Sequence, residues 1–182
     1  TTLFRSGSSC VAVATTNASS TGTTGVPAPG CAAYTSGDIW FSFIAPSTGV
    51  VNLETTAGTL TDGGMALYSA TACNGTFSLI ECDDNDGPGN MPTIQRTGLT
   101  AGQTYYVRVW GNGGATGTFN ICAYDPTLVN DNPCGAVALP VNASCVNTVG
   151  TNVTATSTTG IPAPGCGNYS GGDVWFSFVA PA

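Results

Sequence analysis

The feature that most constrains this chain is a stretch that it contains twice. Gly25-Val26-Pro27-Ala28-Pro29-Gly30-Cys31, followed by Gly37-Asp38-Ile39-Trp40-Phe41-Ser42-Phe43-Ile44-Ala45-Pro46, returns as Gly160-Ile161-Pro162-Ala163-Pro164-Gly165-Cys166 and Gly172-Asp173-Val174-Trp175-Phe176-Ser177-Phe178-Val179-Ala180-Pro181. The offset is 135 positions at Cys10/Cys145, Asn17/Asn152, Cys31/Cys166 and Trp40/Trp175, so no insertion separates the two sets. That period exceeds the roughly 20–50 residues of a solenoid repeat and suits a bead-like domain of about 100–150 residues. The second set stops opposite Ser47, and nothing in it matches 48–124. The expected organisation is a nearly complete domain at 1–125, a stiff Pro/Asn/Asp linker at 126–133, and the opening strands of a second repeat at 134–182. Because 10–47 and 145–182 are versions of the same strands, a core built from 48–124 could accept either. The second set is therefore expected to be the remnant of a longer array, or else to complete a neighbouring domain or chain by strand exchange.

Periodicity gives strands and no helix. Residues 10–14 are apolar on alternate positions, 38–46 form an aromatic and aliphatic run ended by Pro46, and 50–55 alternate with period 2. Thr48-Gly49 reads as the turn that would pair the last two. Further strands are expected at 63–69, 77–82, 93–99, 104–111 and 117–124, each bounded by Gly, Pro, Asn or Asp. Residues 21–37 carry Pro27, Pro29 and several glycines and read as a loop. In 104–110, Tyr105, Val107 and Val109 share one face, and Tyr106, Arg108 and Trp110 the other. The expected fold is all-β, a jelly-roll-like antiparallel β-sandwich.

Charge excludes one class of partner. With three Arg or Lys, no His and ten acids, the net charge is −7, so nucleic acid, whose binding rests on clustered cations, is not a partner. No apolar run approaches the roughly 18–20 residues of a membrane helix, and any export signal is expected to have been removed or to lie outside this chain. Eight cysteines (Cys10, Cys31, Cys73, Cys82, Cys122, Cys134, Cys145 and Cys166) contain no Cys-x-x-Cys, which favours disulfides over zinc and an extracellular location. A bond in one set should recur in the other, so Cys10–Cys31 and Cys145–Cys166 are expected. Cys73–Cys82 would close a strand-turn-strand. Cys122 and Cys134 are left to bond each other or cysteines elsewhere.

Asp62, Glu81, Asp83, Asp84 and Asp86 are five of the ten acids. Cys82-Asp83-Asp84-Asn85-Asp86-Gly87 supplies the carboxylate and amide oxygens that Ca²⁺ takes, with Asp62 at the same sheet end, and the bland alternative is a solvated acidic turn. No EF-hand is present. Asp38 and Asp173 read as strand-entry turn residues. Catalysis is not expected: Ser and Cys nucleophiles lack a His base, and the clustered aspartates resemble metal ligands more than a glycosidase pair. Tyr106 and Trp110, with Trp40 and Tyr105, offer a sugar-stacking platform, against which stands ordinary core packing. Asn17, Asn74, Asn142, Asn152 and Asn168 sit in Asn-x-Ser/Thr sequons and are candidate glycan acceptors.

The order of motifs carries a resemblance. Asp38-Ile39-Trp40-Phe41, Gly49-Val50-Val51, Leu67-Tyr68, Cys82-Asp83-Asp84-Asn85-Asp86, and Leu99-Thr100-Ala101-Gly102-Gln103-Thr104-Tyr105-Tyr106-Val107-Arg108-Val109 precede a final Gly117-Thr118-Phe119 strand. Together these resemble the bacterial pre-peptidase C-terminal domain family, in the cysteine-bearing version strung along large secreted surface proteins of Bacteroidetes-type bacteria. The resemblance covers 38–123 and implies a jelly-roll sandwich, often calcium-associated, that acts as an accessory, adhesive or spacer module. The expected function is a non-catalytic structural module of an extracellular adhesin or surface fibre, partnered by neighbouring repeats or identical chains. The alternative is a polysaccharide- or matrix-binding module.

Overall fold

The computed structural model describes residues 9–152, 155–162 and 164–181. The chain divides into two compact units, Thr1–Asp125 and Pro126–Ala182. Residues 1–8, at the head of the expected first domain, lie outside the described residues, as do 153 and 154 of the Asn152 sequon. Among the described residues, no helix is long and apolar enough to cross a membrane.

The first unit holds β1 (Val13–Thr16), β2 (Asp38–Ile44), β3 (Val51–Ala57), β4 (Gly63–Ser69), β5 (Ser78–Asp83), β6 (Thr93–Arg96), β7 (Thr104–Gly111) and β8 (Thr118–Tyr124). They form two four-stranded antiparallel sheets, ordered β1-β8-β3-β6 and β2-β7-β4-β5. Only β4 and β5 follow one another within a sheet, and every other connection crosses between the sheets, a jelly-roll-like wiring. The expected hairpin of 38–46 with 50–55 is therefore corrected. The turn at Gly49, with φ +67 and its N–H on the Pro46 carbonyl, carries the chain from one sheet to the other. Both strands have an apolar face, and packing those faces across the sandwich buries them where in-sheet pairing would not.

Period-2 alternation fills the core. Phe41 and Phe43, Val51 and Leu53, Met65 and Leu67, Ile94, Tyr105, Val107 and Val109, and Phe119 and Ile121 face inward. Each such side chain contributes about 1.5–3 kcal/mol on burial. Leu60, Met91 and Leu99 close the ends from loops. Thr55, the polar intruder, donates its hydroxyl to the Pro92 carbonyl at 2.6 Å.

The outer face of the β2-β7-β4-β5 sheet is also buried. Ala66, Tyr68 and Trp110 form a second apolar cluster, covered by Val26, Cys31, Ala32 and Tyr34 of the loop 17–37. The loop lies close enough that a Cβ on Gly64 would meet Trp110 Cζ2 at 2.4 Å and Ala32 Cβ at 2.8 Å. Cys31–Cys82 fastens this loop to β5, and Cys10–Cys122 ties the chain ahead of β1 to β8.

The second unit contains β9 (Val137–Ala138) and β10 (Phe176–Ser177), paired in parallel.

Candidate functional site

Polar chemistry in the first unit concentrates beneath the covering loop. Asp38 opens β2 and is 4% exposed, while Arg108 lies opposite Trp40 on β7 and is 1% exposed. Arg108 Nε donates to Asp38 Oδ2 at 2.9 Å, and Arg108 Nη2 donates to the Thr23 carbonyl at 3.2 Å. The Thr23 backbone N–H and the Tyr34 hydroxyl donate to Asp38 Oδ1 at 2.7 and 3.1 Å. Trp40 Nε1 bridges Asp38 Oδ2, at 2.7 Å, and the Thr23 hydroxyl, at 2.9 Å. The guanidinium lies 4.0 Å from the Tyr34 ring centroid and 5.4 Å from that of Trp40. Tyr68 completes the closure by donating to the Pro27 carbonyl at 2.9 Å.

This arrangement holds charge in place. Burial works to raise the Asp38 carboxyl, but the Thr23 hydrogen bonds, the Arg108 charge and Trp40 outweigh it and hold Asp38 below the usual carboxylate range. Burial likewise opposes the charge on Arg108, yet the Tyr68 oxygen and Asp38 raise it above its ordinary value. An ion pair so dry is strongly destabilising to break, by about 3–5 kcal/mol, because the remaining charge is left alone. Its role in this fold is to fasten 17–37 across the sheet. Asn17 does the same at the loop's start: its Nδ2 donates to the Ala115 carbonyl at 2.9 Å, and its Oδ1 accepts from Gly117 N–H at 2.8 Å.

Several expectations are corrected here. Asp38 is not a turn residue but the anion of a buried pair. Asn17 is 1% exposed with its amide fully engaged, so it cannot accept a glycan. Asn74, Asn142, Asn152 and Asn168 are exposed. Trp110 is 0% exposed, sealed by Tyr34 edge-on at 5.7 Å, and is no ligand contact. Tyr106 remains half-buried, beside Phe77 at 5.1 Å, with Trp40 5.3 Å from Phe77.

The cysteine pairing differs throughout. Cys10 bonds Cys122 and Cys31 bonds Cys82, so neither Cys10–Cys31 nor Cys73–Cys82 forms, and Cys122 is not joined to Cys134. Cys82 sits in mid-β5 opposite Ala66, away from the turn that holds Cys73. Cys73, Cys134, Cys145 and Cys166 are exposed and unbonded, so the expected Cys145–Cys166 bond is not made.

The acidic loop is partly committed. Asp83 Oδ2 accepts from the N–H groups of Thr93, at 2.7 Å, and Asp86, at 3.2 Å, while both Asp62 oxygens accept from Asn112 Nδ2 at 3.2 Å. Asp84 Oδ1 is buried without a partner. Burial first, then the Asp62 and Asp83 charges, push its carboxyl up; the Asp62–Asn90 bridge and the register of Met65 with Asp83 put these residues at one end of the sheet. Asn85 and Asp86 are exposed. Among the described residues, the one trio of ligand-type atoms converging within 4.8 Å is Cys10, Glu54 and Cys122. Its two sulfurs are bonded to each other, so it holds no metal.

The residues 135 positions on make the same local bonds in the second unit. Thr158 N–H and the Tyr169 hydroxyl donate to Asp173 Oδ1 at 2.9 and 2.6 Å, and Trp175 Nε1 donates to the Thr158 hydroxyl at 2.8 Å. Asn152 Nδ2 reaches the Gly172 carbonyl at 3.3 Å, as Asn17 Nδ2 reaches that of Gly37 at 3.5 Å. Tyr169 first, and then Thr158, hold Asp173 far below the usual carboxylate range. No Arg, Lys or His occurs in 126–182.

Sequence reasoning missed the Asp38–Arg108 pair. The signal available was Arg108 itself, one of three cations in the chain, set in a strand with Tyr105, Tyr106 and Trp110.

The family model described as "Galactose binding domain-like", associated with T9SS, matches residues 6–121, well over half of the chain. No curated protein gives a significant match. Among solved structures, the periplasmic inhibitor of g-type lysozyme PliG from Aeromonas hydrophila is similar with a TM-score of 0.42 and 14% identity, covering 68% of this chain and 94% of that one.

Proposed function

This chain belongs to the galactose-binding domain-like family associated with T9SS, the Bacteroidetes secretion system, and from that premise we propose that it is a non-catalytic structural module, repeated in tandem, of a secreted cell-surface adhesin or fibre. One observation carries the reading. The densest polar chemistry of the first unit, Asp38 with Arg108, together with Cys31–Cys82, is spent on sealing a loop over a sheet face, and both partners of the ion pair are buried. The 135-residue offset and the repeated Thr158–Asp173–Trp175 bonds support the tandem arrangement. Exchange of strands between identical folded chains is disfavoured, because β2 already pairs with β7 along seven residues and would have to be displaced.

Calcium belongs to this reading as a stabiliser at Asp62 and Asp84. The unpartnered Asp84 oxygen and the mutual repulsion of the carboxylates support it. If it is correct, Ca²⁺ raises the urea midpoint of the native chain and leaves that of Asp84→Asn unchanged. If no cation binds, Asp84→Asn itself raises the midpoint at pH 7, since ionising a carboxyl whose folded value is raised costs stability as pH rises.

A second reading, carbohydrate binding, is favoured by the half-buried Trp40, Phe77 and Tyr106 on the outer sheet face and by the family's description. A glycan-binding screen of the native chain that includes galactosides separates the two. The structural reading expects no saturable binding. Saturable binding abolished by Tyr106→Ala, with an unchanged urea midpoint, would replace it with the second.

A further inference from the structure

The outer face of the β1-β8-β3-β6 sheet carries a polar cluster built around a disulfide. Glu54 stands opposite Cys122 and Asn52 opposite Tyr124 in the β3–β8 ladder, so by alternation all four side chains share that face, while Leu53, Ile121 and Ala123 fill the core. Tyr124 donates its hydroxyl to Glu54 Oε1 and accepts from Asn52 Nδ2 at 3.2 Å. Burial first, and then the Glu54 bond, raise the Tyr124 hydroxyl, which stays a donor. The Glu54 carboxylate so held meets the Cys10 and Cys122 sulfurs, the three atoms lying within 4.8 Å of one another. Of the described arginines, Arg96 pairs with Glu81 and Arg108 with Asp38, so neither neutralises it.

The two sulfurs differ in access. Cys10 is exposed, and Cys122 is 2% exposed. A thiolate arriving from solvent therefore attacks the Cys10 sulfur: a mixed disulfide forms on Cys10, the Cys10–Cys122 bond breaks, and the electron pair leaves on Cys122 as a thiolate. That charge would develop in a dry position against the Glu54 carboxylate, where burial and like charge both disfavour it. The other disulfide has no such neighbour. Among the described residues, no carboxylate oxygen joins the Cys31 and Cys82 sulfurs in a cluster of that size.

We propose that Glu54 guards Cys10–Cys122 against thiol exchange, opposing both the approach of a thiolate to Cys10 and the departure of one from Cys122, with Tyr124 as the positioning residue that keeps the carboxylate on the sulfurs. The reactants excluded are thiolates, free or carried by a protein, and Cys73, exposed and unbonded in the same unit, is one that the chain itself supplies. The bond protected ties the chain ahead of β1 to β8, so the guard keeps an edge strand on its sheet. This protection goes beyond the structural-module reading and holds whether or not the module binds glycan.

The test exposes the folded chain to excess dithiothreitol at neutral pH, whose second thiol releases Cys10 from the mixed disulfide, and follows each disulfide by alkylation and peptide mass. Glu54→Gln should speed the loss of Cys10–Cys122 about tenfold and leave the rate at Cys31–Cys82, the internal clock, as in the native chain. Glu54→Asp, which keeps the charge, should stay close to the native rate. Glu54→Gln should also flatten the preference of Cys10–Cys122 for cationic cysteamine over anionic mercaptoacetate, which a merely structural role would not move. Equal rates in native and Glu54→Gln chains, equal acceleration by Gln and Asp, or both disulfides accelerating together at an unchanged urea midpoint would each overturn the proposal. If Glu54→Gln lowers the urea midpoint, the native chain decides: its cysteamine-to-mercaptoacetate rate ratio should be larger at Cys10–Cys122 than at Cys31–Cys82, and an equal ratio overturns the guard.

Discussion

The two units carry the same residues in the same local bonds and bury them differently. Thr23, Tyr34, Asp38 and Trp40 recur as Thr158, Tyr169, Asp173 and Trp175, and in both sets the indole N–H finds the threonine hydroxyl 17 positions back. In the first unit, Arg108 arrives from β7, the aromatic rings close over it, and Phe41 and Phe43 are buried. In the second no cation is present and Phe178 is 68% exposed. The comparison separates two contributions. Hydrogen bonding within a short stretch sets the shape of the loop and strand entry, and a strand distant in sequence supplies the desolvation that turns that shape into stability.

The largest break in the comparison is Arg108→Ala. It leaves Asp38 buried without its counter-charge, and urea unfolding of the first unit should show a loss of about 3–5 kcal/mol. Replacing Cys31 and Cys82 together by Ser frees the loop from β5 and should cost about 2–4 kcal/mol by the same measurement. Gly64→Ala drives a methyl group against Trp110 and Ala32 and should cost about 1–3 kcal/mol. Acid sharpens the contrast. Asp38 is held below its unfolded value of about 3.9, so its contribution is complete above that pH and is lost as pH falls through the folded value. A urea midpoint series from pH 6 to pH 2 on native and Arg108→Ala chains should therefore converge at the acid end. The smallest effect belongs to Asp173→Asn, which should leave the midpoint of the first unit unchanged.

Much of the fold was legible because a half-buried strand announces itself by period-2 alternation. Among the described residues, seven of the eight strands of the first unit fall on the expected stretches, and β1 lies a few residues later, at Val13–Thr16. Pairing was less legible. Thr48-Gly49 has the chemistry of a hairpin turn, but local turn chemistry does not record that β2 and β3 each have an apolar face to bury from opposite sheets. The cysteines failed for a related reason. Symmetry between the two sets favoured bonds inside the repeated stretch, whereas Cys10 is brought to Cys122 by the pairing of β1 with β8, a contact across 112 positions. Arg108 shows the limit most sharply. The face it shares with Tyr106 and Trp110 alternates as a solvent face would, and only the covering loop 17–37 turns it into an interior. Asp62 and Asp83 lie at one end of their sheet, where Asp62 bridges Asn90 and Asp83 stands opposite Met65, while the hydrogen bond from Thr93 N–H to Asp83 depends on β6 and was not readable.

The most direct measurement is amide hydrogen exchange, compared between 29–44 and 164–179 in native and Arg108→Ala chains. Strong protection of 29–44, rapid exchange in 164–179, and collapse of that difference in Arg108→Ala are expected. Equal protection of the two segments in the native chain, or protection of 29–44 that survives loss of the Arg108 guanidinium, would contradict the account.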